Sequence, residues 1–126
     1  MKVVAIVQAR MGSTRLPSKV VKKIGDKPMI QLLLERLSLS KLVHEIVVAT
    51  STDVKNKDLK RIINKLGYKV FQGSESDVLS RYLGAAKAVN AEIIVRITGD
   101  CPLIDPVLVD ECISKFKEKT VDYLSN

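Results

Sequence analysis

Apolar residues in this 126-residue chain follow two alternating patterns. Short, unbroken apolar runs rich in β-branched residues are typical of strands buried on both faces of a sheet. Such runs occupy residues 3–7, 45–50, 68–73 and 91–98. Longer segments with apolar residues at helical spacing follow each run and predict helices over 27–37, 53–67, 76–89 and 107–119. A short fifth strand is predicted at 121–125.

Strands that alternate with helices of these lengths predict a mainly parallel sheet of right-handed βαβ units. The length predicts a single domain. In a doubly wound sheet with the order 3-2-1-4, the first and fourth strands lie side by side where the winding reverses. The loops that leave these two strands, residues 8–19 and 99–106, are therefore expected to face each other across a ligand crevice.

The charge is positive and unevenly distributed. Lys and Arg number 21 against 14 Asp and Glu, which gives a formal net charge of +7. Six cations and no acid fall within the segment 1–25: Lys2, Arg10, Arg15, Lys19, Lys22 and Lys23. This predicts an anionic partner, such as a nucleotide, a nucleic acid or a lipid headgroup. Nucleic acid is disfavoured, because the basic segment 55–65 lacks interleaved aromatic residues that would stack on bases.

The sequence contains no signal-peptide pattern and no apolar run that approaches a membrane span. Cys101 and Cys112 have neither a second cysteine pair nor a histidine cluster beside them. This pattern favours reduced thiols over a disulfide framework or a zinc site, and Cys101 is expected to be a small packed side chain. Together these features predict a soluble cytoplasmic protein with no membrane partner.

The loop "QARMGSTRLPSK" after the first strand carries three cations, Arg10, Arg15 and Lys19, and no acid. Its position favours anion binding over the alternative, a solvated basic loop. Gly12 and Ser13 can bring backbone N–H groups close to a phosphate. The loop contains neither GxGxxG nor the second glycine of a P-loop, which argues against a dinucleotide-dependent oxidoreductase and a P-loop NTPase.

The opposing segment "GDCPLIDP" carries two acids, Asp100 and Asp105. Asp100 offers a hard oxygen ligand for Mg²⁺ beside a nucleoside triphosphate, and this role is compatible with a turn at the same place. Asp105 precedes Pro106 and is expected to cap a helix. Asp77 and Arg81 lie four residues apart at the start of the third helix, where they predict either an ion pair or a ligand role.

Four segments carry a resemblance to a known family: "IVQARMGSTRLPSKVVKKIGDKPMI", "IVVATS", "VFQGSESDVLSRY" and "VRITGDCPLIDP". They resemble the cytidylyltransferases of spore-coat polysaccharide and acylneuraminate biosynthesis. They are more distantly similar to CMP-3-deoxy-manno-octulosonate synthetase. The resemblance implies the Rossmann-like nucleotide-diphospho-sugar transferase fold. It also implies Mg²⁺-dependent transfer of CMP from CTP to a sugar, with release of pyrophosphate.

The same resemblance implies roles for individual residues. Arg15 and Lys19 would be catalytic, because they would neutralise the departing pyrophosphate, and Asp100 would bind Mg²⁺. The residues implied to hold the nucleotide lie in the loops after the first and third strands: Ala9, Arg10, Gly12, Ser13, Arg15, Lys19, Asp77 and Arg81.

Members of this family continue well beyond residue 126. The resemblance therefore implies that residues 1–126 form a single nucleotide-binding α/β domain that lacks the C-terminal part of the family. The substrates would be CTP and a sialic-acid-like or other surface-polysaccharide sugar. We expect a homo-oligomer, because the last predicted strand would present an open edge to another copy. The alternative function is that of a non-catalytic nucleotide-binding module.

Overall fold

The structure, a computed structural model, describes residues 1–11 and 19–125. Its strands are β1 (Val3–Gln8), β2 (Lys23–Ile24), β3 (Lys27–Pro28), β4 (Glu45–Ser51), β5 (Lys69–Gly73) and β6 (Ile93–Thr98). Its α-helices are α1 (Met29–Leu37), α2 (Lys57–Lys65), α3 (Val78–Ala88) and α4 (Pro106–Glu118). Short 3₁₀ helices lie at Lys19–Val21 and Val54–Asn56.

The central sheet is parallel and has the order β5-β4-β1-β6. This order confirms the predicted arrangement, in which the first long strand of the chain lies beside the last. Gln8, at the end of β1, lies opposite Ala49 of β4 and Thr98 of β6. Because all of these strands run in the same direction, their carboxyl ends and the loops that follow meet at one edge of the sheet.

Strand β1 is buried on both faces, as its unbroken apolar sequence predicts. Val3, Ala5 and Val7 pack with apolar residues of α1, α2 and α4 on one side of the sheet. Val4 and Ile6 pack against α3 on the other side. All five side chains are fully buried, and each of the four valine and isoleucine side chains contributes on the order of 1.5–3 kcal/mol relative to an exposed position.

The first two predicted helices begin later than the apolar pattern indicates. The first two residues of the segment 27–37 form β3, which pairs antiparallel with β2 across a turn that places Gly25 at φ +67°. The segment 53–67 divides into a 3₁₀ turn and α2, because the Asp53 side chain caps the turn by accepting the Lys55 N–H. Within residues 1–11 and 19–125, no helix is long and apolar enough to cross a membrane.

The predicted strand at 121–125 is wrong. These residues follow α4 without forming a strand, and the Tyr123 side chain is 82% exposed. In the part of the chain that the structure describes, the sheet ends at β6. The edge strands of the described sheet are therefore β5 and β6, and the last residues of the chain form neither.

Candidate functional site

The carboxyl ends of β1 and β6 border a cavity of about 170 Å³. Its walls come from the two strand ends, the residues that follow them and the first 3₁₀ helix: Gln8, Ala9, Arg10, Lys19, Val20, Thr98, Gly99 and Asp100. The structure thus places four residues of the predicted site, Ala9, Arg10, Lys19 and Asp100, around one cavity. The cavity lies where the winding of the sheet reverses, which is where α/β folds of this kind bind ligands.

Backbone hydrogen bonds hold the end of β1 close to the ends of β6 and β4. The Gly99 N–H donates to the Gln8 carbonyl oxygen at 2.7 Å, and the Ala9 N–H donates to the Ala49 carbonyl oxygen at 3.1 Å. A Cβ atom at residue 99 would lie 2.6 Å from the Gln8 oxygen and 3.1 Å from the Ala9 Cβ. Only glycine allows this close approach, so Gly99 is part of the wall that shapes the cavity.

We expect Gly99→Ala to lower the free energy of unfolding by about 1–3 kcal/mol, because the new methyl group meets backbone that cannot rotate away. The shift of Gln8 would also displace Ala9, so affinity for the nucleotide that the resemblance implies should fall. Chemical denaturation and a binding titration measure the two effects. Gly25→Ala is the control: its Cβ meets nothing within 4 Å but its φ is +67°, so it should cost about 1–2 kcal/mol without changing affinity. Wild-type affinity in Gly99→Ala would contradict the assignment.

Lys19 and Asp100 face each other at the cavity, with Lys19 Nζ 3.4 Å from Asp100 Oδ2. Their side chains are 35% and 49% exposed, so this pair contributes little to stability. A hydrogen bond from Thr98 lowers the pKa of Asp100 below its ordinary value; partial burial opposes this effect and Lys19 adds to it. Asp100 is therefore an ionised carboxylate at neutral pH, accessible to a cation.

Arg10 extends from the end of β1 to the loop that follows β5. Its Nη1 lies 3.7 Å from Glu75 Oε1, and both side chains are about half exposed. Glu75 was not among the predicted site residues, because sequence alone does not show which acid the fold brings to Arg10. The contact joins the loops after β1 and β5, so the site extends toward the start of α3.

Asp77 lies at the start of α3 and caps it. Its Oδ1 accepts the Ser80 N–H at 3.0 Å, which is the ordinary role of an aspartate at a helix N-cap. No ion pair joins Asp77 to Arg81 among the described residues, so that alternative does not apply. Neither residue lines the cavity between β1 and β6.

Arg81 lies in the first turns of α3 and is only 1% exposed. Its Nε and Nη1 atoms are buried and have no hydrogen-bond partner in the described part of the chain. The arginine stem packs closely on Gly73, where a Cβ would lie 2.8 Å from Arg81 Cγ. Buried guanidinium nitrogens without a partner are energetically costly, so Arg81 is a better candidate for an anionic ligand than for a structural ion pair.

Three predicted residues, Gly12, Ser13 and Arg15, lie outside the residues that the structure describes. Their assignment to the phosphates therefore remains a prediction from the sequence and its resemblance. The described residues on either side, Met11 and Lys19, show where this loop leaves β1 and where it returns to the cavity.

Asn56 supports the loop after β1 and was not among the predicted site residues. Its Oδ1 accepts the Met11 N–H at 2.9 Å, and its Nδ2 donates to Ser51 Oγ at 2.6 Å. The side chain is 2% exposed. A short polar residue shortly after a buried strand is also common in turns, so the sequence offered no signal that would distinguish this contact.

The residues present fit a magnesium ion that is shared with a substrate. Asp100 provides carboxylate oxygens at an open cavity, which suits a hard cation. The described residues contain no group of three or more His, Cys, Asp or Glu side chains that could hold an ion alone. Mg²⁺ usually takes one or two carboxylates and completes its shell with phosphate oxygens and water, and this donor set corresponds to that arrangement.

The two cysteines are free in the structure, as the sequence predicts. The expectation that Cys101 is a packed side chain is wrong, because this residue is exposed beside Asp100. Its Sγ lies 3.3 Å from Thr98 Oγ1. The turn that presents Asp100 to the cavity also turns the next side chain outward.

A parallel α/β sheet with cations and a carboxylate at its switch point defines the class of this protein as an α/β protein with a ligand crevice at that point. A protein-family model described as cytidylyltransferase matches residues 4–126. The chain therefore belongs to the cytidylyltransferase family, which confirms the resemblance described above.

Individual relatives support the same family. The spore coat polysaccharide biosynthesis protein SpsF of Bacillus subtilis is 38% identical over 122 residues, which cover 94% of this chain and 51% of SpsF. A cytidylyltransferase structure from Leptospira borgpetersenii is 45% identical with a TM-score of 0.90, covering 95% of this chain and 50% of that one. A CMP:2-keto-3-deoxy-manno-octonic acid synthetase structure in complex with CTP is 29% identical with a TM-score of 0.85, covering 94% and 48%.

These superpositions confirm the predicted α/β fold with a mainly parallel sheet. The chain spans about half the length of the relatives that it matches. It thus corresponds to one half of those proteins, and that half includes the cavity between β1 and β6.

Proposed function

We propose that this chain binds CTP and takes part in the transfer of CMP to a sugar of a surface polysaccharide, with release of pyrophosphate. The observation that carries the proposal is the cavity where Arg10 and Lys19 meet Asp100 at the ends of β1 and β6. The relatives described as a spore-coat polysaccharide protein and as a CTP-bound synthetase support it. Membership of a family of cytidylyltransferases disfavours the alternative of a non-catalytic nucleotide-binding module.

In this reaction a sugar hydroxyl attacks the α-phosphorus of CTP in line, and the bond to the β-phosphate oxygen breaks. Arg10 and Lys19 would hold phosphate oxygens and balance the charge that collects on the departing pyrophosphate. By its resemblance to the family motif, Arg15 would provide a further positive charge. Catalysis of this type depends on positioning and electrostatics, and no residue needs to form a covalent intermediate.

Mg²⁺ is the proposed metal, and Asp100 is the residue that would hold it. When bound, the ion would neutralise charge on the phosphate oxygens. Without it, the Asp100 carboxylate would repel a triphosphate, and Lys19 is the described residue that counters this repulsion. Lys19 would therefore contact both Asp100 and the nucleotide phosphates.

We further propose that the protein acts in the cytoplasm without a membrane or nucleic-acid partner. The two free cysteines are in keeping with a reducing compartment. The cations at the cavity would bind a small anionic ligand. On the exposed basic face of α2, Arg61 already pairs with Asp58 of the same helix at 3.1 Å.

The proposal predicts that CTP with Mg²⁺ raises the Tm of the protein more than CTP with EDTA, and more than ATP, GTP or UTP does. A ligand at 100 times its Kd adds about 2.7 kcal/mol to the free energy of unfolding. A thermal-shift screen of the four triphosphates measures this effect, and release of pyrophosphate with a panel of nonulosonic and octulosonic acids tests turnover. No shift with any triphosphate would contradict the nucleotide-binding function.

We also propose that the chain forms homo-oligomers through the open edge of β6. Ile94 of β6 is 45% exposed, and Leu79 and Leu83 of α3, the helix on the same side of the sheet, are 78% and 50% exposed. An exposed strand edge with apolar neighbours is suited to pairing with another copy. Sedimentation velocity should show concentration-dependent association that Ile94→Lys weakens and Val107→Lys, on α4, does not. A monomer at all concentrations would contradict this.

A further inference from the structure

Asn56 stands at the N-cap of α2 but does not cap that helix with its side chain. Asparagine at this position ordinarily accepts a hydrogen bond from the first turn of its own helix. Here both ends of the amide bond to residues outside α2, and the side chain is 2% exposed. A buried polar side chain that serves other segments and not its own helix points to a role in joining those segments.

The amide connects the end of β4 to the start of the loop after β1. Its Nδ2 donates to Ser51 Oγ at 2.6 Å, where Ser51 is the last residue of β4 and is fully buried. Its Oδ1 accepts the Met11 N–H at 2.9 Å. The backbone donor at Met11 determines the orientation of the amide, because only the oxygen can accept from it.

Arg10 lies between two backbone positions that are both tied to β4. On one side, the Ala9 N–H bonds directly to the carbonyl of Ala49 in β4. On the other side, Met11 is held by Asn56, which is anchored on Ser51 of the same strand. The Arg10 backbone therefore has little freedom, and its guanidinium is directed toward the cavity and Glu75.

We propose that Asn56 is a positioning residue, which fixes the Arg10 backbone against the end of β4 so that the guanidinium meets the nucleotide without further ordering. This role rests on the proposed nucleotide-binding function. Asn56 does not line the cavity between β1 and β6. It would therefore act through Arg10.

The test is a double-mutant cycle between Asn56→Leu and Arg10→Ala, measured as the Kd for CTP with Mg²⁺. Leucine has a similar volume and can form neither hydrogen bond. We expect N56L to raise Kd about tenfold in the wild-type background, and less than about twofold in the R10A background. An equal effect of N56L in both backgrounds would overturn the proposal.

Two controls separate positioning from stability. Asn64→Leu makes the same substitution at an exposed position of α2, and Leu59→Ala destabilises the same helix from its buried face; both should leave Kd unchanged. Ser51→Ala removes the hydroxyl that accepts from the Asn56 amide and from the Asp53 N–H but keeps the longer contact from the amide to the Ser51 carbonyl, and it should raise Kd about threefold. If N56L does not fold, the Kd of S51A for CTP with Mg²⁺ becomes the test. An unchanged Kd in S51A would then overturn the proposal.

Hydrogen exchange of the Met11 amide in the free protein provides a readout that needs no nucleotide. We expect this amide to be protected in the wild type and to exchange at least about tenfold faster in N56L, or in S51A to a smaller degree, while amides of β4 keep their protection. If the wild type binds no nucleotide, the proposed function fails and this measurement alone decides the positioning role. Equal exchange at Met11 in wild type and variant would overturn it.

Discussion

We expect Asp100→Asn to remove the magnesium dependence of nucleotide binding. In the wild type, the Asp100 carboxylate is ionised and accessible, so in the proposed function it would repel a triphosphate when no metal is present and would hold the ion when one is. Asparagine keeps the shape but loses the charge. We expect affinity for CTP with Mg²⁺ to fall by about 10- to 150-fold, the effect of losing a charge-assisted contact. Affinity for CTP with EDTA should stay the same or rise.

Isothermal titrations of CTP in Mg²⁺ and in EDTA measure the two affinities of this prediction. Asp26→Asn makes the same substitution at an exposed turn away from the cavity and should keep the wild-type metal dependence. Thermal unfolding of the free protein should change little, because the Lys19–Asp100 pair is largely exposed. A variant of Asp100 that still requires Mg²⁺ for CTP binding would place the metal elsewhere.

Arg81→Met is expected to stabilise the free protein and to weaken CTP binding. Arg81 is buried, and two of its guanidinium nitrogens have no hydrogen-bond partner among the described residues. Methionine preserves the apolar stem that packs on Gly73 and removes a buried charge, which favours the folded state by about 1 kcal/mol or more. If the guanidinium contacts the nucleotide, affinity should fall by about 10- to 150-fold.

Thermal unfolding measures the change in stability, and a CTP titration independently measures the change in affinity. Arg61→Met, on the exposed side of α2, loses a surface ion pair and should change neither quantity by much. Lower stability together with wild-type affinity would show that Arg81 is a structural residue and that the nucleotide does not reach α3.

The order of the central sheet and the position of the cavity were predictable from the sequence. The unbroken apolar run of β1 identifies a strand buried on both faces, and alternation with helices determines that its neighbours run parallel. Once β1 and β6 are adjacent, the residues after them must meet, so Arg10, Lys19 and Asp100 were assigned to one crevice without coordinates. These inferences depend on local pattern and on general rules of topology.

The contacts that support this crevice were not predictable. Asn56 reads as an ordinary turn or cap residue, and only the fold brings its amide to Met11, 45 residues away in the chain. The contact between Glu75 and Arg10 was not predictable either, because no local pattern indicates the direction of the loop that contains Glu75. Side-chain hydrogen bonds between distant segments depend on how elements pack, and single-sequence patterns contain no information about that geometry.

The last residues of the chain show that local sequence patterns can also fail to predict secondary structure. The alternation in "VDYLS" is typical of a strand, yet residues 121–125 form none. A strand exists only where a neighbour provides hydrogen bonds, and the sheet in the described part of the chain ends at β6. The sequence by itself determined the buried strands, their parallel order and the loop cations, because these follow from hydrophobic periodicity and chain direction. Only the tertiary structure decided that two guanidinium nitrogens of Arg81 are buried without a partner among the described residues, that Asn56 holds Met11 and that β6 is an edge strand there, because each depends on contacts between segments far apart in the chain.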